Sequence, residues 1–120
     1  MSELSEMKCV ACRGGEPTVT EKEISEYSAT IPNWTLLKVN EIDRLEYTYR
    51  FNNFIDSLAF TNLVGNAAEE EDHHPALLTE WGRVTVSWWT HKIKGLHKND
   101  FIMAAKTDNI YSEISDASTS

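Results

Sequence analysis

Residues 44 to 51 read RLEYTYRF, the clearest strand signal in the chain. Leu45, Tyr47, Tyr49 and Phe51 fall on one side of an extended backbone, and Arg44, Glu46, Thr48 and Arg50 on the other. That period of two belongs to a half-buried β-strand. Upstream, Trp34 to Val39 is a short β-prone run that ends at the turn-like NEID (40–43), so the two runs predict an antiparallel hairpin.

The flanking segments are helical. Thr20 with Glu23 three residues later has the form of a capping box and predicts a short helix over about 21–29, closed by IPNW (31–34). From Asn52 or Asn53 a longer helix runs to about Glu70. Phe60, Leu63, Val64 and Ala67 share one face of it, while Phe54, Ile55, Leu58 and Ala59 fall elsewhere on the wheel. A helix apolar over so much of its circumference is expected to be covered on two sides, the second cover being another subunit.

Beyond it, Leu77 to Trp81 and Val84 to Ile93 read as two strands joined near Gly82, and HKND (97–100) opens a last helix to about Ile114. Asp100 then sits in the first turn of that helix, where the dipole favours a carboxylate. The order helix, two strands, helix, two strands, helix indicates an α+β fold with the helices on one face of the sheet. Residues 1–19 are expected to be an irregular Cys-containing leader, 20–114 the folded domain, and 115–120 a disordered tail.

Bulk properties narrow the function. The 120 residues suit one domain, and 11 basic against 19 acidic side chains leave a net charge of -8. That sign argues against nucleic-acid and anionic-membrane partners, which need clustered Lys and Arg. No apolar run has the length of a membrane helix, and MSELSEMKCV (1–10) lacks the apolar core of a secretory signal. A cytoplasmic protein with reduced thiols is expected. Cys9 and Cys12 supply two ligands where a structural zinc site needs about four.

The chemistry concentrates in EEEDHHPALLTEW (69–81). Pro75 pushes His74 out of the helical region, so the long helix must end at or just before the histidines. Adjacent extended residues point to opposite sides; either His73 and His74 approach a ligand from different directions, or one binds while the other packs. His91 waits near the end of a strand, and Asp100 follows. Several imidazoles with acidic orienters, and no well-placed Ser or Cys nucleophile, suit proton transfer, with hydration or dehydration as the simplest reaction class. Competing readings stand beside these. The histidine pair can be an imidazolium at a helix C-terminus, and His97 reads as solvated surface. Trp88 and Trp89 read as core and interface, or else as a platform for a flat ring. Three histidines and a carboxylate could also assemble a metal site, although adjacent histidines are not the spacing that one helix face presents.

Taken together, Glu69, His73-His74-Pro75, Trp81, His91 and Asp100 resemble the signature of the pterin-4a-carbinolamine dehydratases, over roughly residues 20 to 114, including PNW (32–34) and the GL (95–96) of KGLHKNDF. The resemblance implies a four-stranded antiparallel sheet with helices on one face, assembled as homodimers or homotetramers. It implies loss of water from 4a-hydroxytetrahydrobiopterin to give quinonoid dihydrobiopterin, which recycles tetrahydrobiopterin. By position, His73, His74 and His91 match the family's active-site histidines and Asp100 its aspartate. His73 and His91 are then assigned to the 4a-hydroxyl as acid and positioner, and His74 to proton transfer at the ring edge. Glu69 is the expected orienter and Trp34 a pocket-lining residue. The partner implied is a pterin substrate, with no metal and no bound cofactor. Two alternatives remain: a dimerisation or coactivator-type binding module acting through a surface that includes Phe54 and Leu58, or a dehydratase for another pterin, such as one of molybdenum-cofactor metabolism.

Overall fold

The structure, a computed structural model, describes residues 3–7 and 18–119. Cys9 and Cys12 lie outside the described residues.

The expected hairpin forms. Strand β1 (Thr35–Val39) pairs antiparallel with β2 (Ile42–Arg50), Val39 opposite Ile42. Asn40 and Glu41 make the two-residue turn with φ of 51° and 66°, the positive values that match the twist of a tight hairpin. Along β2 the predicted alternation holds: Leu45 and Tyr49 are buried, and Arg50 is exposed.

The second hairpin joins β3 (Ala76–Glu80) to β4 (Arg83–Trp88) through Trp81 and Gly82. Gly82 has φ 78°, and a Cβ there would stand 3.3 Å from the Phe51 carbonyl oxygen, so the turn requires glycine. Antiparallel pairing of β2 with β4 completes a four-stranded sheet in the order β1-β2-β4-β3. Leu45, Tyr47 and Tyr49 stand opposite Trp88, Val86 and Val84, which puts one continuous apolar face on the two central strands.

That face is covered by helices. Helix α1 (Glu21–Ser28) starts with the reciprocal Thr20–Glu23 capping box, and Tyr27 packs against Phe101 at 5.3 Å between ring centroids. Helix α2 (Phe54–Glu71) is capped by Asn53, whose side chain accepts from the Asp56 N–H at 2.8 Å. It buries Ser57, Phe60, Val64 and Ala68. Phe60 meets Tyr49, Phe51 and Tyr111 in an aromatic cluster between the layers. Helix α3 (Lys98–Thr119) sends Phe101, Met103, Ala104 and Thr107 into the same core. The outer side of α2 stays bare: Ile55 is 72% exposed, and Phe54, Leu58 and Leu63 are exposed with it.

Four expectations are corrected. The last strand stops at Trp88 rather than Ile93, because Thr90 and Gly95 bridge each other and fold 91–93 into a 3-10 turn. Lys94, with φ 51°, reverses the chain there. Leu63 faces solvent rather than the Phe60 side. Helix α3 passes the expected end at Ile114, since no proline or glycine interrupts residues 115–119. The leader is not wholly irregular, for Glu3–Glu6 forms a 3-10 turn that buries Leu4 in the core.

The end of α2 decides where the histidines go. Asp72 takes the left-handed conformation with φ 51°, its N–H reaches the Glu69 carbonyl at 3.2 Å, and the His73 N–H reaches the Ala68 carbonyl at 3.1 Å. This pair of bonds is the Schellman closure, which usually carries glycine at the left-handed residue. Asp72→Gly is therefore expected to raise stability by up to about 1 kcal/mol in urea unfolding, and Asp72→Val to lower it by more than about 1 kcal/mol.

Candidate active site

The Schellman closure turns the chain, and Pro75 keeps it extended. His73 and His74 therefore leave the backbone on opposite sides, one inward and one outward. His73 is buried and lies nearly parallel to Trp88, with 5.9 Å between ring centroids and 8° between planes. His74 stays about half exposed in its side chain.

His73 Nε2 lies 2.6 Å from Asp100 Oδ1. Asp100 is 0% exposed, so its carboxylate must be satisfied within the protein. Its other oxygen, Oδ2, accepts from the Thr90 hydroxyl at 2.8 Å and from the His97 backbone N–H at 2.9 Å. The start of α3 adds its positive dipole end. As a carboxylate, Asp100 presents only acceptors to these three partners. The proton of a neutral His73 therefore sits on Nε2, and Nδ1 is the nitrogen left to take up or deliver a proton.

His74 repeats the arrangement in solvent. Its Nε2 is 2.5 Å from Glu69 Oε1, one helical turn back on α2. Both side chains are well exposed, so the pair orients the imidazole and adds only about 0.2–1 kcal/mol of stability. His91 opens the 3-10 turn directly after Thr90, which is itself bound to Asp100. The His91 ring is exposed and packs on Trp89, 4.6 Å between centroids and tilted by 38°. Over the same Trp89 ring lies the Arg44 guanidinium, its central carbon 3.9 Å from the centroid.

Of the residues singled out from sequence, His73 and Asp100 are in direct contact, His74 and Glu69 are in direct contact, and His91 is tied to the first pair through Thr90. Trp34 is bonded to a different acid. Its Nε1 donates to Asp108 Oδ1 at 3.0 Å, and its ring packs against Tyr47 and Tyr49. The Tyr49 hydroxyl donates to the same oxygen. Burial, partly offset by those two donors, pushes the Asp108 carboxyl above the ordinary aspartate range. The same burial, reinforced by the Asp108 charge, drives the Tyr49 phenol far above its usual value. Among the described residues no group of three His, Cys, Asp or Glu side chains is placed to hold a metal ion.

His97 is corrected from surface to structure. Its Nδ1 accepts from the Asn99 N–H at 3.0 Å while Asp100 accepts from its own N–H, a reciprocal cap on α3. The spacing of His97 and Asp100, first residue and third helical position, could have revealed this. Thr90 carried no sequence signal that set it apart from other threonines.

The comparisons with known proteins agree in direction. The sequence model of the family described as pterin 4 alpha carbinolamine dehydratase matches residues 17–110. A protein of Microcystis aeruginosa with the provisional name pterin-4-alpha-carbinolamine dehydratase is 58% identical over 111 residues, covering 92% of this chain and 96% of its own. Its namesake in Syntrophotalea carbinolica is 57% identical over 108 residues, covering 90% of this chain and 96% of its own. Among solved structures, a transcriptional coactivator/pterin dehydratase from Brucella melitensis superposes with a TM-score of 0.70 at 29% identity, over 78% of this chain and 98% of that one.

Removing the shared carboxylate would strand three buried or half-buried donors. Asp100→Ala is expected to cost at least about 2 kcal/mol in chemical denaturation, whereas His74→Ala should stay within about 1 kcal/mol of the parent.

Proposed function

Because the chain belongs to the pterin 4 alpha carbinolamine dehydratase family, we propose that it is a hydro-lyase that removes water from a pterin 4a-carbinolamine, with residues 20–114 as the working domain. The observation that carries the reading is the pair of differently housed imidazoles: His73 buried on Asp100, and His74 in solvent on Glu69. The reaction needs two proton transfers at different edges of one flat ring. In this assignment the C4a–O bond breaks as the hydroxyl takes a proton and leaves as water. N5 gives up its proton while the C4a–N5 double bond forms, so one proton enters, one departs, and the ring is neither oxidised nor reduced.

His73 suits the acid. An ionised Asp100 stabilises the imidazolium that must form before the proton is delivered, and Trp88 holds the ring plane. His91 is the second group at the 4a-hydroxyl. His74 suits the base at N5, its Nε2 turned toward Glu69 and Nδ1 available. With 4a-hydroxytetrahydrobiopterin as substrate the product is quinonoid dihydrobiopterin, and the physiological role is recycling of tetrahydrobiopterin. A different pterin would pass through the same steps. Stopped-flow dehydration of chemically generated 4a-hydroxypterin is expected to fall by about 10²–10⁴ in His73→Ala or His74→Ala, the usual worth of a positioned acid or base. Near-parental rates in both variants would refute the assignment.

The bare side of α2 supports a second element of the reading, self-association into a dimer or tetramer. Phe54, Ile55 and Leu58 form an exposed apolar patch of the kind that marks an interface. Sedimentation should give a multiple of the 13.7 kDa chain mass, reduced by Ile55→Asp. A monomer at micromolar concentration would remove this element. A coactivator-type role would use the same patch; it predicts a specific protein partner whose capture is indifferent to histidine substitution.

A further inference from the structure

Trp89 plays no part in the proton transfers, yet two chemically important side chains meet on its ring. It follows the last residue of β4, and one more step of the β2–β4 register places it across from Arg44. The guanidinium lies over the ring, its central carbon 3.9 Å from the centroid. Arg44 Nε is buried without a hydrogen-bond partner, so the cation–π contact with Trp89, rather than a bond from Nε, accompanies its place over the ring. On the chain's other side, His91 is the i+2 neighbour of Trp89 and packs on it at 4.6 Å.

His91 needs such a neighbour. It stands exposed on a single 3-10 turn whose N-cap, Thr90, makes no side-chain capping bond because its hydroxyl is committed to Asp100. Among the described residues no hydrogen bond or ion pair holds the His91 imidazole, whereas His73 and His74 each have a carboxylate. Two imidazoles are oriented by acids; the third is left to an aromatic ring.

We propose that Trp89, itself packed under the Arg44 guanidinium, is the positioning residue for His91 and sets the direction in which that imidazole faces the substrate. The kinetic consequence rests on the dehydratase reading. The orientation itself does not. Trp89 thus serves as a clamp, with its ring occupied by protein side chains, and is not a stacking platform for the pterin.

The test uses the full chain with ¹³C-labelled histidine, the His91 signal assigned by its loss in His91→Gln, alongside stopped-flow dehydration. In the parent, the His91 Cε1–H resonance should carry the ring-current shift of an adjacent indole. Trp89→Leu should return it to the free-imidazole position. The same variant should lower kcat at least about tenfold per folded molecule, with KM changed by less than about threefold, since misorientation affects the chemical step. Trp89→Phe should restore most of both, and Arg44→Met, which keeps bulk and removes the cation, should fall between. An unshifted His91 signal in the parent overturns the proposal, as does a kcat in Trp89→Leu equal to that of the parent, or a Phe variant no better than Leu. If the parent itself does not dehydrate the pterin, the functional reading fails, and the NMR arm alone decides the clamp.

Discussion

A carboxylate with no exposure to water governs this structure. Asp100 collects three donors from three segments: the imidazole that follows α2, the hydroxyl that follows β4, and the backbone N–H that starts α3. Burying an ion without such partners would cost several kcal/mol, so the segments are obliged to arrive together. The end of a helix, the end of a central strand and the start of another helix are thereby fixed to one point. His73 is held at that point directly, and the backbone that carries His91 is anchored to it through Thr90.

The same contact divides labour between two histidines that are neighbours in sequence. The left-handed turn at Asp72 and the restriction imposed by Pro75 send one ring inward and the other outward. The inward ring gains a plane from Trp88, a tautomer from Asp100 and shelter from water; the outward ring has only Glu69 to direct it. Identical side chains are consequently housed differently, which is what the proposed reaction, with one protonation and one deprotonation, would require. Placing the two histidines side by side, rather than on one helical face, is what makes this possible.

Much of this was legible in the residues because it depends on local rules. The alternation in RLEYTYRF, the Thr20–Glu23 box and the stop before Pro75 each arise within a few positions of one another, and each appears where expected. What escaped was decided by contacts distant in sequence. Residues 89–93 have strand-like composition, but the Thr90–Gly95 bridge folds them into a turn. The resemblance offered Trp34 as a pocket-lining residue, but its indole N–H bond to the Asp108 carboxylate, 74 residues away, had no local signal. His97 was hidden differently, as a cap whose partner, Asp100, already had a more prominent role. The family resemblance carried the site residues further than spacing could, yet the part played by Thr90 emerged only from the geometry.

The central claim is that Asp100 sets which nitrogen of His73 is chemically available. Nitrogen-15 spectroscopy of the His73 imidazole reads this directly at a pH where the ring is neutral. The account predicts a protonated Nε2 and an unprotonated Nδ1, with that preference lost in Asp100→Ala. A neutral ring carrying its proton on Nδ1, or a tautomer indifferent to residue 100, would contradict it.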